Sequence, residues 1–210
     1  MAQSPPKIDP SKAVLLVMDV EHATLKTVDG PDALVERIGK AIAVARAHHC
    51  LVGYVRMALE DDDLDALPET NKLTGRVAAA GDALHAESGS SAIPGPVAPE
   101  EDDIIVRKTR MGAFSTTDLA QRLQQRGITT LVLVGLSTSG VVLSTVRDAA
   151  DRDYEVFVVR DACADPEPDV HDFLTKRIFP AQAEVLTVAD FEADLSATTS
   201  DSRDPVAAAS

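Results

Sequence analysis

The amino-acid sequence predicts a three-layer, doubly wound α/β protein: a mostly parallel six-stranded sheet with helices on both faces. Short continuous apolar runs bounded by polar residues recur along the chain, as expected of strands covered on both sides. Between several of them lie stretches with apolar residues at helical spacing. From residue 130 onward the order strand, helix, strand, helix, strand repeats, and such alternation builds a parallel sheet through crossover connections.

Residues 12–19 form the first expected strand, with the run Ala13, Val14, Leu15, Leu16, Val17, Met18 closed by Asp19. Residues 31–49 follow as a helix, because Leu34, Ile38, Ile42 and Ala45 share one face and Pro31 suits a first helical turn. Residues 51–57 are the second strand. The third, 104–108, ends on Lys108. Residues 117–126 read as a helix capped by Thr116 or Thr117 and ended by Gly127. Then come strand 130–135, helix 137–151, strand 154–160, helix 169–179 and strand 183–187. Residues 58–102 are the least regular part, with the acid cluster Glu60 to Asp65, a short helix near 71–80 and a Pro-rich segment at 93–99. Long excursions of this kind often cover active sites.

With 210 residues and no linker-like break in the middle, the chain fits one domain at 13–191. Residues 1–12 and 192–210 read as tails, the latter disordered because it is rich in Ala, Ser, Thr and Asp with little periodic apolar content. Aromatic residues make up only 3% of the chain, so the core must be aliphatic. A formal charge of -14 repels phosphate backbones and anionic lipid, which argues against nucleic-acid or membrane partners. No apolar run approaches the roughly 20 residues that span a bilayer. Residues 1–6 carry no charged-then-apolar export signal, so a cytoplasmic location is expected. Cys50 and Cys163 lack CxxC spacing and read as reduced, buried thiols.

In an open parallel sheet, ligands bind beyond the carboxyl ends of the strands, where strand order reverses. Asp19, Lys108 and the turn Gly135, Leu136, Ser137, Thr138, Ser139, Gly140, Val141 all fall at such ends. The turn joins an apolar strand to a helix, a geometry that gathers backbone N–H groups suited to a developing oxyanion. Its middle, Gly140 and Val141, has no side chain that can attack a substrate. Asp19 and Lys108 read equally as a proton-handling pair or as a turn cap and a structural ion-pair partner. Arg110 offers a bidentate contact to a carboxylate, with a surface arginine as the alternative. Phe114 packs under its loop or forms an apolar pocket wall. Ser137, Thr138, Ser139 and Ser144 read as helix caps more readily than as nucleophiles, since sequence positions no base beside them. A loop metal site at Asp61, Asp63 and His85 competes with a solvated acidic face, and the face is the better reading. No metal and no cofactor are expected.

These segments together resemble the isochorismatase-like, or cysteine hydrolase, superfamily from about residue 13 to about 187. Residues 15–19 are similar to its first strand with the catalytic aspartate. Segment 108–114, with Thr116, Thr117, Asp118 and Leu119 after it, is similar to its lysine segment. Residues 131–135, Thr138 and the pair Asp148 and Ala149 resemble its nucleophile strand and helix, and 156–162 the next strand. The resemblance implies catalytic roles for Asp19 and Lys108, a small-molecule substrate and a homodimer or homotetramer. It also exposes two departures: the family's cysteine falls on Val141, and the usual Met-Gln pair after the aspartate is Val20 and Glu21.

Without a thiolate at that position, covalent amide or nitrile hydrolysis has no attacking group. The family's isochorismatases, which do without that cysteine, imply another route: a vinyl ether is protonated at carbon by a general acid and then takes up water. The expected function is therefore a hydrolase acting on a small, carboxylate-bearing molecule through Asp19 and Lys108. Lys108 would bind a substrate carboxylate or orient Asp19. Arg110, Phe114, Leu136, Ser137, Thr138, Ser139 and Gly140 would contact substrate, with backbone N–H groups of 138–141 receiving negative charge. The rival is an inactive family member that binds a small ligand or a protein. Burial raises the pKa of Asp19 and Lys108 lowers it, and sequence leaves the winner open.

Overall fold

The structure, a computed structural model, describes residues 7–201. In chain order its main elements are β1 (Ala13–Met18), α1 (His22–Leu25), α2 (Pro31–Ala47), β2 (Leu51–Met57), α3 (Asp61–Asp65), α4 (Lys72–Ala80), β3 (Ile104–Lys108), α5 (Leu119–Gln125), β4 (Thr130–Leu136), α6 (Leu143–Asp151), β5 (Glu155–Ala164), α7 (Pro168–Phe173), β6 (Glu184–Leu186) and α8 (Val188–Asp201). The six strands stand in the order β3-β2-β1-β4-β5-β6, and every neighbouring pair is parallel. The predicted fold class is therefore the observed one, and strand order reverses between β1 and β4.

Alternation along β1 sends its side chains into two separate cores. Leu15 and Val17 pack with Leu34, Ile38 and Ile42 of α2 and with Phe191 and Leu195 of α8. Val14, Leu16 and Met18 pack with Leu119 and Leu123 of α5, Val142 just before α6, Val146 of α6 and Phe179. Each large side chain so buried contributes about 1.5–3 kcal/mol, and most of them are aliphatic, as the low aromatic content requires.

Two expected boundaries are corrected. The tail assigned to 192–210 is helical as far as Asp201, because Phe191 and Leu195 are fully buried against α2 and continue the apolar face of α8. Residues 202–210 lie outside the described part. The tail assigned to 1–12 is partly docked: Ile8 is fully buried and its N–H donates to Asp194 Oδ2 of α8 at 2.7 Å. Residues 1–6 lie outside the described part. A further correction concerns β5, which runs past the expected end at 160 as far as Ala164. Its pairing with β4 jumps from Leu133–Val158 to Gly135–Cys163, so an irregular stretch lets the strand rejoin the sheet.

Candidate active site

Asp19 follows β1 directly, with a left-handed backbone (φ 52°) anchored by its N–H on Val55 O at 2.9 Å. Asp is one of the few residues that tolerates this conformation. Lys108 ends β3, two strands away, with Met57 of β2 as its register partner. Lys108 Nζ meets Asp19 Oδ2 at 2.8 Å and donates to Arg110 O at 3.2 Å. Lys108 has no exposed surface at all. Its position fits orientation of Asp19.

Asp19 Oδ1, by contrast, is buried without a hydrogen-bond partner. Loss of solvent around Asp19 raises its pKa, and Lys108, with a smaller contribution from the Met57 backbone, only partly opposes that rise. The direction left open by sequence is therefore upward, because burial outweighs Lys108.

Glu21, which stands where the resemblance leads one to expect Gln, is 1% exposed and belongs to the same cluster. Its side chain caps the Thr24 N–H at the start of α1, while Thr24 Oγ1 accepts from Glu21 N at 3.1 Å. Glu21 Oε1 has no hydrogen-bond partner, and Arg56 Nε stands 4.0 Å away. Burial, followed by the nearby Asp19 charge, pushes the Glu21 carboxyl up to about 8. The one available signal was the acid in place of the family's Gln.

A cavity of about 410 Å³ opens above Asp19. Leu136, Ser137 and Val141 close it on the β4 side, Met57 and Met111 on the β2 and β3 side, and Leu73, Arg76 and Val77 of α4 from above. The irregular 58–102 region thus walls the site through α4. Sequence marked that region as a cover without identifying the residues that face inward.

The turn after β4 depends on Gly135, whose φ is +125° and where a Cβ would run into the Met18 carbonyl. The Leu136–Ser137 peptide is cis. One turn of π-helix, Thr138–Val142, then leads into α6. Of the expected substrate contacts, only Leu136 and Ser137 line the cavity, together with Val141. Thr138 is fully buried, and its Oγ1 lies 2.8 Å from His171 Nδ1 of α7. Ser139 N–H donates to Asp165 Oδ2 at 2.6 Å, and Gly140 N–H to Ser137 O at 3.1 Å. These two N–H groups are engaged, so the predicted oxyanion role at Ser139 and Gly140 is corrected.

Arg110 lies beside the cavity, in an adjoining cleft. Phe114 is corrected too: it is core, 5% exposed, stacked on Tyr154 at 5.9 Å between centroids and covered by Arg152. Sequence also missed His171 and Asp165, which brace the turn from the β5 side. Burial lowers the His171 pKa, so it is a neutral partner for Thr138. A hydroxyl with no route to the cavity makes this pair a strut, not a nucleophile and base.

Neither cysteine faces the cavity. Cys163 lies within β5, where sequence placed it beyond a strand, with Sγ donating to Leu133 O at 3.7 Å. Burial pushes both thiols up to about 12, so neither ionises near neutral pH. Asp63 is ion-paired to Arg107, and no group of three or more His, Cys, Asp or Glu residues that could hold a metal occurs among the described residues. No helix among them is long and apolar enough to cross a membrane.

A doubly wound parallel sheet with a buried acid–lysine pair beside an apolar cavity at its reversal point defines the class: an α/β protein with an enzyme-like site. The chain belongs to the isochorismatase family, since residues 13–190 match the isochorismatase domain. It is 32% identical over 167 residues to a probable inactive nicotinamidase of Arabidopsis thaliana, covering 75% of this chain and 83% of that one. It is 30% identical over 212 residues to a ureidoacrylate amidohydrolase of Methylobacterium radiotolerans, covering 91% and 82%. An isochorismatase family protein of Burkholderia thailandensis shares the fold at a TM-score of 0.78 and 27% identity, over 92% of this chain and all of that one.

Proposed function

We propose that the chain is a cytoplasmic hydrolase of the isochorismatase family that acts on a small, carboxylate-bearing molecule by proton transfer through Asp19, without a covalent cysteine intermediate. The observation that carries this reading is the second oxygen of Asp19, buried and unpartnered, on a carboxyl that faces an apolar cavity containing no thiol. A buried polar atom without a partner costs about 1–3 kcal/mol, and such costs are retained at sites of chemistry.

On a vinyl ether the reaction is balanced by Asp19 and one water. The Asp19 carboxyl gives its proton to the vinyl carbon, leaving a carboxylate beside Lys108 and an oxocarbenium ion. Water adds to that ion and returns a proton to Asp19. The resulting hemiketal breaks its carbon–oxygen bond to release an alcohol and a carbonyl compound. Lys108 holds the carboxylate in place between the two transfers, and Glu21 keeps a second proton within the cluster without adding negative charge.

The second reading, an inactive member that binds a ligand or a protein, is favoured by Val141, which is fully buried at the cavity wall where the family resemblance puts the cysteine. The probable inactive relative points the same way. A homodimer or homotetramer is the assembly proposed from the family.

Turnover of a panel of vinyl ethers, amides and esters by the wild type and by Asp19→Asn tests the choice. Hydrolysis by the wild type that is lost in the variant supports the enzyme. Ligand binding by calorimetry with no turnover across the panel supports the binding module, and unchanged turnover in the variant removes Asp19 from the reaction.

A further inference from the structure

Beside the main cavity lies a cleft of about 430 Å³ between the start of α4 and the segment after β3. Lys72 and Arg76 line it from α4 and Arg110 and Ser115 from the other side. Leu73, Arg76 and Met111 line both cavities, so the two share a wall. The cleft lining contains three cations and no acid.

This is unusual within a chain that carries 34 acidic residues against 20 Lys and Arg. Several cations outside the cleft pair with acids: Lys40 with Glu36, Arg46 with Asp103, Arg107 with Glu60 and Asp63, Arg122 with Asp118 and Arg152 with Asp148. Among the described residues none of Lys72, Arg76 and Arg110 makes an ion pair. Asp63, which feels the charge of Arg110, is already paired with Arg107. Arg110 spends one terminal nitrogen on Thr109 O at 2.8 Å, and the rest of its planar fork remains for an anion. Three like charges around one cleft repel one another, and a visiting anion relieves that repulsion.

We propose that this cleft is an anion subsite that holds a carboxylate or phosphate on one end of the substrate while the scissile part lies in the apolar cavity under Asp19. Placement of the scissile part rests on the function proposed above; anion binding by the cleft does not. The preferred substrate is then a two-part molecule, anionic at one end and apolar in the middle, long enough to pass the shared wall at Arg76 and Met111. The main cavity discriminates by shape and the cleft by charge.

Calorimetric titration of succinate and of inorganic phosphate at low ionic strength, into the wild type, Lys72→Gln/Arg110→Gln and Asp19→Asn, tests the subsite without a known substrate. The wild type is expected to bind one anion saturably, and the double variant at least about 10-fold more weakly, as expected for loss of charge-assisted contacts. Tighter succinate identifies a carboxylate end and tighter phosphate a phosphate end. Asp19→Asn should bind within about two-fold of the wild type, because the two sites share no reacting group. No saturable binding in the wild type, or equal affinity in a double variant with unchanged circular dichroism, overturns the proposal. If Asp19-dependent turnover exists while anions fail to bind, only the subsite falls; if anions bind while turnover is absent, only the hydrolase reading falls.

Discussion

The two sides of the cavity handle buried polar groups in opposite ways. On the β4 side, several polar groups of the turn after Gly135 have partners: Thr138 meets His171, Ser139 donates to Asp165 and Gly140 donates to Ser137. On the β1 side, Asp19 Oδ1 and Glu21 Oε1 are both buried without partners, around one ammonium. A satisfied network gives rigidity, whereas an unsatisfied one stores reactivity at a cost in stability. The turn that looks like the reactive element is therefore the scaffold, and the acid cluster is the part able to move a proton.

The largest test of that contrast is kinetic. Asp19→Asn is expected to lower turnover by about 10³-fold, within the range for loss of a general acid, while Ser137→Ala on the opposite wall changes it by less than about 10-fold. Comparable losses in steady-state assays of the two variants would erase the distinction between the sides.

Gly135→Ala strikes the junction between them, forcing a Cβ toward the Met18 carbonyl at a positive φ. It is expected to cost about 3 kcal/mol in urea unfolding, and a loss below about 1 kcal/mol would mean that β1 and β4 are not held so closely.

Glu21→Gln sharpens the account of the acid side. The Glu21 carboxyl lies at about 8 in the folded protein against an ordinary 4.5. Its contribution to stability is complete below about 4.5 and is lost as pH rises through about 8, because the unfolded chain ionises first. Stability of the wild type should therefore fall between pH 5 and pH 8, and the fall should be smaller in Glu21→Gln. Equal slopes in denaturant titrations across that window would mean that Glu21 is not held neutral.

The smallest effect belongs to the scaffold. Thr138→Val removes one strut to the half-buried His171, at an expected cost of about 1 kcal/mol with turnover retained. Loss of turnover in a folded Thr138→Val protein would return the turn to the chemistry.

The sheet was legible because its signals are local. Residues 51–57 and 104–108 are apolar runs with clear polar ends, and both became strands with those bounds. The extension of β5 was hidden because Arg160 and Asp161 look like a turn, whereas the strand bends around them and resumes at Cys163. Asp19 and Lys108 could be read from their strand ends, and the structure brings them together. Glu21 could not, since nothing local says that an acid two residues past a strand will be buried. Arg76 and Leu73 were equally hidden, for the fold-back of α4 over the site depends on contacts distant in sequence.

The central claim is that burial outweighs Lys108 and leaves Asp19 able to carry a proton. Carbon-13 NMR titration of the Asp19 carboxyl, assigned by its disappearance in Asp19→Asn, measures this without any substrate. The account predicts a midpoint above the ordinary 3.8. A midpoint at or below that value would show that the ion pair dominates, and Asp19 would then be a fixed carboxylate with no proton to give.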